Sequence, residues 1–340
     1  MARIALLGFG NVGRAFARHL TTGDAAGGGE HRICAVADIS GGLLLEEAGL
    51  DITRVLEKLE HGGLLSDCAE SGGMLPVDDY LNALPAAGIR VLVECLPTNP
   101  VDGEPALTFL RRSLDQNIAA VTVNKGPIVY GHRTLTEAAA RSGARLAYSG
   151  TTGVRPPVEI AGCHILDIRG ILNGTTNFIL TEMQRRDLAF RQALDQAKEQ
   201  GIAEPNPDLD IQGWDTACKI LILANEWMAA GALLSDVVRI GIGPETEALL
   251  HEARAKNGVV RLIGRARRSD EGICLSVTPK ICLQDSVFHS IEGTSKGAIF
   301  RTREKGEIFA GGVSGREAIA KVILQDVEAV LTPRDSRPGA

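Results

Sequence analysis

A short apolar run at residues 3–7, RIALL, leads directly into GFGNVG and then into RAFARHL. The glycines at 8, 10 and 13 fit G-x-G-x-x-G between a strand and a helix whose Phe16 and Leu20 share a face. This arrangement constrains the chain more than any other segment, because strand, tight turn and helix N-terminus must follow one another as in a parallel α/β unit. Gly8 permits the turn, Gly10 lets a pyrophosphate approach the backbone, and Gly13 allows close helix packing. The helix N-terminus then offers oriented N–H groups to the anion. The same segment has no small-residue cleavage site after its apolar run, so it reads as a first strand rather than a leader.

Further strands follow in RICAVAD, IRVLVECLP, AAVTVN and ARLAYSG, with EPALTFLRRSLDQ as a crossover helix and ITRVLEKLEHG as another helix. TTGDAAGGGEH and ESGGMLP read as a loop and a turn. Strands alternating with helices predict an α/β fold with a Rossmann-type doubly wound parallel sheet. Beyond it, DLAFRQALDQAKEQG and WDTACKILILANEWMAAG have helical spacing, each closing on glycine. GVVRLIGRARR, GICLSVTPKICL, AIFRTR and GEIFAGG predict an antiparallel or mixed sheet, and SGREAIAKVILQDVEAVL a long helix with Ser314 as N-cap. At 340 residues, two lobes are expected.

Composition removes several classes of function. A formal charge of −6 without a long basic run argues against nucleic acid, and no run reaches the 18 or so apolar residues of a membrane span. Seven cysteines, an odd number without C-x-x-C spacing, suggest neither a disulfide framework nor a zinc site. A reducing cytoplasm and a small-molecule partner are the expectation.

Asp38 closes the second strand 25 residues after Gly13, where a carboxylate would bond a ribose 2′-OH and repel a 2′-phosphate. This favours NAD over NADP, although Ser40 and Arg32 nearby leave room for a phosphate. In AEPNPDLDIQGWDTACK, Glu204, Asp208, Asp210 and Asp215 crowd ahead of an apolar run, and Lys219 stands one turn after Asp215. As a surface ion pair, Asp215 and Lys219 would contribute only about 0.3–0.5 kcal/mol. The ILILA that follows predicts burial instead, and buried charges have a partner or a task. The acids could favour a helix N-terminus or hold an ammonium group, and NGTTN at 173–177 has the small residues and hydroxyls suited to a carboxylate. Lys125, in VTVNKGP, ends a predicted parallel strand ahead of a loop, where ligands gather in open sheets; a solvated lysine is the plain alternative.

LGFGNVG, ECLPTN with DGEPAL, VTVNKGP, GILNGTTNFIL, AKEQGIAEPNPDLDIQGWDTACKILILAN and GGVSGREA occur in the order and spacing of one family. Nearly end to end, the chain resembles the homoserine dehydrogenases, which interconvert homoserine and aspartate 4-semialdehyde with a nicotinamide cofactor. The resemblance implies that Lys219, Lys125 and Asp215 are catalytic, and that Glu204, Asp210, Thr176 and Gly174 bind the substrate. It implies cofactor contacts from Gly8, Phe9, Gly10, Asn11, Val12 and Gly13 of the glycine turn, and from Asp38, Pro97, Thr98, Lys125 and Gly312. It further implies a dinucleotide-binding domain of residues 1–147 with 313–333. A catalytic and dimerisation α+β domain would span 148–312, its substrate part about 156–257 and its dimer sheet about 258–312. The resemblance is to short members without an appended ACT domain, so a homodimer without threonine feedback through such a domain is expected.

The chain departs from the family in one stretch. Where many members have YEATVGGGIP, it has YSGTTGVRPP from Tyr148 to Pro157, so Ser149 replaces an acid that helps to ligate a monovalent cation. Carbonyls at Thr152 and Val154 are what remain for sodium or potassium, and Arg155 adds a cation. A related hydroxy amino acid is therefore an alternative substrate. An acylating semialdehyde dehydrogenase would need a nucleophilic cysteine, for which Cys95 is the nearest candidate. A non-catalytic NAD sensor would have no use for the two lysines and the acids.

Overall fold

The computed structural model describes residues 2–21, 31–38, 42–68, 77–312 and 314–332. They divide into two compact units, residues 2–151 with 314–332 and residues 152–312. Ser40, most of the TTGDAAGGGEH loop and the ESGGMLP turn lie outside the described residues.

The first unit holds strands β1 (Ala2–Leu7), β2 (His31–Asp38), β3 (Gly42–Leu45), β4 (Val91–Glu94), β5 (Ala119–Thr122) and β6 (Leu146–Ala147), ordered β3-β2-β1-β4-β5-β6. All neighbours are parallel except β3, which pairs antiparallel with β2. Only three residues separate β2 from β3, too few for the crossover that a parallel partner needs. Alternate residues of β1 and β4 face opposite ways. Ile4, Leu6, Val91 and Val93 pack with Phe16 and Leu20 of α1 (Asn11–Thr21) and with Ala320, Ile323 and Val327 of the C-terminal helix Arg316–Leu331. Ala5, Leu7 and Leu92 pack with Tyr80, Leu81 and Leu84 of α3 (Val77–Ala86) and Phe109 of α4 (Ala106–Asp115). Burial on both faces explains why these strands read as unbroken apolar runs. Helix α2 (Ile52–Glu60) contributes Ile52, Val55 and Leu56 to the first of these clusters.

Two local expectations change. The segment at Lys125 is the start of an 18-residue helix, α5 (Lys125–Ser142), rather than a loop. Asn124 caps it by accepting the Gly126 N–H at 3.1 Å, and Pro127 sits in the first turn, where its missing N–H costs nothing. Gly131, within this helix, is required by packing: a Cβ there would meet the Leu107 side chain at 2.1 Å. The C-terminal helix is entered through Gly315, with φ +89°, and Ser314 does not cap it.

The second unit contains β7 (Ile165–Ile171), β8 (Val237–Arg239), β9 (Val259–Ser269), β10 (Gly272–Cys282), β11 (Gly297–Thr302) and β12 (Gly306–Gly311), ordered β12-β11-β7-β9-β10-β8. Its pairing is antiparallel except between β10 and β8. Helices α6 (Gly174–Arg186), α7 (Phe190–Glu199), α8 (Asp208–Ile211), α9 (Trp214–Met228) and α10 (Thr246–Ala255) complete it, and Arg316–Leu331 is α11. Every residue of α9 from Trp214 to Ala224 is buried. Gly264 of β9 makes room for α9, since a Cβ there would stand 3.0 Å from the Thr216 methyl. The glycine stop holds for α7, where Gly201 has φ +67°, but α9 turns at Ala229, with φ +51°. Among the described residues, no helix is long and apolar enough to cross a membrane.

Candidate active site

In the second unit, β7 delivers Leu172 and Asn173 to the start of α6, and α9 begins beside them. The i, i+4 spacing on α9 brings the Lys219 ammonium 2.6 Å from Asp215 Oδ2. Lys219 Nζ also donates to the Leu172 carbonyl at 2.8 Å. Both charged residues are only 8% exposed, so this is a buried pair and the surface-pair magnitude does not apply.

Asn173 links the pair to a second acid. Its side-chain amide donates to Asp215 Oδ2 at 2.9 Å and to Asp210 Oδ1 at 2.6 Å. Its Oδ1 caps α6 by accepting the Thr176 N–H at 2.8 Å and the Thr176 hydroxyl at 3.1 Å. Burial, and then the charge of Asp215, raise the Asp210 carboxyl above the ordinary range; Asn173, Thr175 and Lys219 oppose the shift. Gly174 opens α6 against the 294 loop, where a Cβ would lie 2.9 Å from the Thr294 carbonyl. Of the four acids in the crowded stretch, Asp210 and Asp215 meet through Asn173, while Glu204 and Asp208 stay exposed. In the same unit, Gly312 bridges to Val154, and the Val154 carbonyl accepts the Thr152 hydroxyl at 2.7 Å.

The first unit presents the glycine turn. Gly8 has φ +92°, and a Cβ on it would lie 2.7 Å from the Cys95 carbonyl. A Cβ on Gly13 would stand 2.2 Å from the Gly8 oxygen, whereas one on Gly10 would meet nothing within 4 Å. Two glycines are thus required by packing and the third borders open space. Asn11 and Val12 form the first turn of α1, and Phe9 is buried with its N–H 3.3 Å from Asp38 Oδ2 and its carbonyl accepting Arg14 Nε at 2.9 Å. Arg32 lies six residues from Asp38, at the other end of β2, about 20 Å away at strand rise. Its guanidinium donates instead to the Ala48 carbonyl. Pro97 and Thr98 follow β4 in the turn beside α5, and Lys125 is half-buried in the first turn of that helix.

Residues 158–327 match the homoserine dehydrogenase family. A homoserine dehydrogenase of Methanocaldococcus jannaschii is 35% identical over 95% of this chain and 97% of its own length. The chain belongs to the homoserine dehydrogenase family. An NAD(+)-dependent homoserine dehydrogenase of Pseudomonas canavaninivorans is 33% identical over 96% of this chain and 95% of its own length. A solved Archaeoglobus fulgidus structure, given as a candidate homoserine dehydrogenase, superposes with a TM-score of 0.82 at 29% identity and covers 98% of this chain and 100% of its own. Members of the homoserine dehydrogenase family are oxidoreductases acting on CH–OH groups with a nicotinamide cofactor, and so is this chain.

The first unit suits that cofactor: open space at Gly10, a helix N-terminus beside it and Asp38 at the end of the neighbouring strand match a dinucleotide's pyrophosphate and ribose. Two participants escaped the residue-by-residue reading. Asn173 stands directly ahead of G-T-T, where an N-cap residue belongs, but its bridge between two acids joins segments 37 and 42 residues apart. The Leu172 carbonyl is main chain, and no side-chain pattern announces it.

Proposed function

We propose that the chain interconverts L-homoserine and L-aspartate 4-semialdehyde, with Lys219 as the proton carrier. The supporting observation is the buried Lys219–Asp215–Asn173–Asp210 cluster. Two of the three ammonium N–H groups of Lys219 go to Asp215 and the Leu172 carbonyl, which leaves one for a ligand oxygen. In the reductive direction the Lys219 ammonium gives its proton to the carbonyl oxygen as that oxygen becomes a hydroxyl. In the oxidative direction neutral Lys219 takes the hydroxyl proton, and Asp215 stabilises the ammonium that forms. Asp210, with Glu204, would hold the substrate ammonium, and the Gly174 N–H at the start of α6, with Thr176 beside it, would meet its carboxylate.

A bound nicotinamide supplies the hydride acceptor or donor. Gly8 to Gly13, Asp38, Pro97, Thr98, Lys125 and Gly312 are the residues assigned to holding it, with Lys125 also polarising the reacting oxygen. With Asp38 beside the turn and Arg32 at the far end of β2, the reading favours NAD over NADP. Ser149 offers no carboxylate, and its N–H is bonded to Asp326 at 2.9 Å, while the Val154 carbonyl already accepts a hydroxyl. These residues do not fit a full monovalent-cation site, and no step is routed through one. An acylating mechanism finds no support at Cys95, whose thiol is raised well above its usual pKa by burial and then by Glu94.

A homodimer is part of the reading. Helix α9 covers one face of the second sheet; side chains of opposite parity, among them Arg169, Ile263, Arg265, Ile299 and Phe309, point to the other. Phe309 is 47% exposed there, which suits a second copy of the chain.

The test is the initial rate with L-homoserine at matched NAD and NADP, with and without potassium. Turnover that favours NAD and is indifferent to potassium supports the proposal. No turnover by folded protein that binds NAD would overturn it in favour of another hydroxy amino acid or a sensor.

A further inference from the structure

The last residue of β4 is a glutamate with no exposed surface, at the carboxyl end of a parallel strand. Ligands of open α/β sheets gather at these ends, so a buried acid there sits under a functional edge. Glu94 Oε1 accepts the Leu96 N–H at 2.7 Å and the Asn124 side-chain amide at 3.2 Å. Its Oε2 accepts the Thr122 hydroxyl, and the Thr122 oxygen in turn accepts the Asn124 N–H at 3.0 Å. Asn124 continues outward, capping α5 through the Gly126 N–H and reaching the Pro97 carbonyl at 3.5 Å.

The geometry points to Glu94 as a positioning residue: one carboxylate ties the turn after β4 to the start of α5, and so fixes Pro97, Thr98 and Lys125 for the dinucleotide. Its partners are all donors, so they favour an ionised, acceptor-only side chain at this point. Burial works against that charge, raising the carboxyl to about 7, with Thr122, Asn124 and Leu96 drawing it back. A cluster that needed only to be filled would have cost less with an apolar residue. The steric fit at the same edge is tight: a Cβ on Gly126 would lie 2.8 Å from the Asn99 carbonyl, and one on Gly103 would lie 2.7 Å from the Gly126 carbonyl. A shift of the α5 start therefore carries the whole turn with it.

This inference rests on the dinucleotide role given above to Pro97, Thr98 and Lys125. It is tested by fluorescence titration of NADH, without substrate, into wild type, Glu94→Gln, Glu94→Ala and Asn124→Ala, with kcat and the homoserine KM measured alongside. Glutamine keeps the shape and one acceptor oxygen, so the expected order of NADH affinity is wild type, then Glu94→Gln, then Glu94→Ala, the last about tenfold weaker. The homoserine KM should stay within about twofold, since the groups proposed to hold the substrate's ammonium and carboxylate belong to the other unit, while kcat falls with any displacement of Lys125. If Glu94→Ala does not fold, Asn124→Ala carries the test with the same expected loss. Folded Glu94→Ala or Asn124→Ala binding NADH within about twofold of wild type would overturn the inference, as would an equal loss in homoserine KM. Wild type that binds NADH but does not oxidise homoserine overturns the substrate assignment and leaves this inference standing.

Discussion

Lys219 is held by two acceptors inside the fully buried Trp214–Ala224 stretch of α9, so its removal has two separable effects. Lys219→Ala should lower kcat by about 10²–10⁴-fold through loss of the proton carrier. It should also destabilise the fold by about 3–5 kcal/mol, because Asp215 is left buried without its cation; steady-state rates and urea unfolding read the two effects apart. Asp210 adds a pH dependence. Its carboxyl is raised by burial and by Asp215, so it loses the charge that would hold a substrate ammonium while the pH is still above the ordinary carboxylate range. Homoserine kcat/KM is expected to fall as pH drops through that raised value, and Asp210→Asn should remove this limb while lowering the plateau. At this scale the sequence was partly legible: i, i+4 spacing was enough to pair Asp215 with Lys219. Asn173 and the Leu172 carbonyl were not, since long-range register decides which amide meets which acid.

Elements were read where periodicity was uninterrupted and missed where packing overrode it. β1, β2 and α9 were plain from their apolar patterns, but Gly126, Pro127 and Gly131 concealed α5, and their reasons are steric contacts with other segments. β7 was missed as well, because Asp167 and Arg169 interrupt it. Asp167 is fully buried, with Arg265 of the neighbouring β9 donating at 2.6 Å and Arg169 of β7 itself at 3.3 Å, so its charge is met from two strands. The glycine turn gives a sharp prediction at this scale. Gly13→Ala places a methyl 2.2 Å from the Gly8 oxygen, so α1 must move off β1, and NADH binding should be lost or weakened by more than tenfold. At the end of β4, Glu94 makes stability depend on pH. Its folded-state pKa of about 7 lies above the unfolded value, so its contribution is full below the ordinary carboxylate range and is lost as pH rises through about 7. Unfolding free energy should fall between about pH 4.5 and pH 7 by at most about 1.4 kcal/mol per pH unit from this group, a slope that Glu94→Gln flattens.

The first unit is discontinuous in sequence: its strands come from the first 151 residues, and α11 returns to it after the whole of the second unit. Ala320, Ile323, Leu324, Val327 and Val330 fill the same core as Ile4, Phe16, Val93 and Val121. Ile323, fully buried, is the most direct probe. Ile323→Ala should cost about 2–5 kcal/mol and weaken NADH binding, although it lies far along the chain from the glycine turn, and thermal unfolding with and without NADH checks both effects. The order of synthesis follows from this arrangement. A ribosome that has released the glycine turn, Asp38 and Glu94 has still not made one wall of the core beneath them, whereas the second unit is complete before α11 appears. On the proposed reading, cofactor affinity then waits for α11, and a chain cut short before α11 would keep the Lys219–Asp215–Asn173–Asp210 cluster but lack a wall of the core beneath the glycine turn.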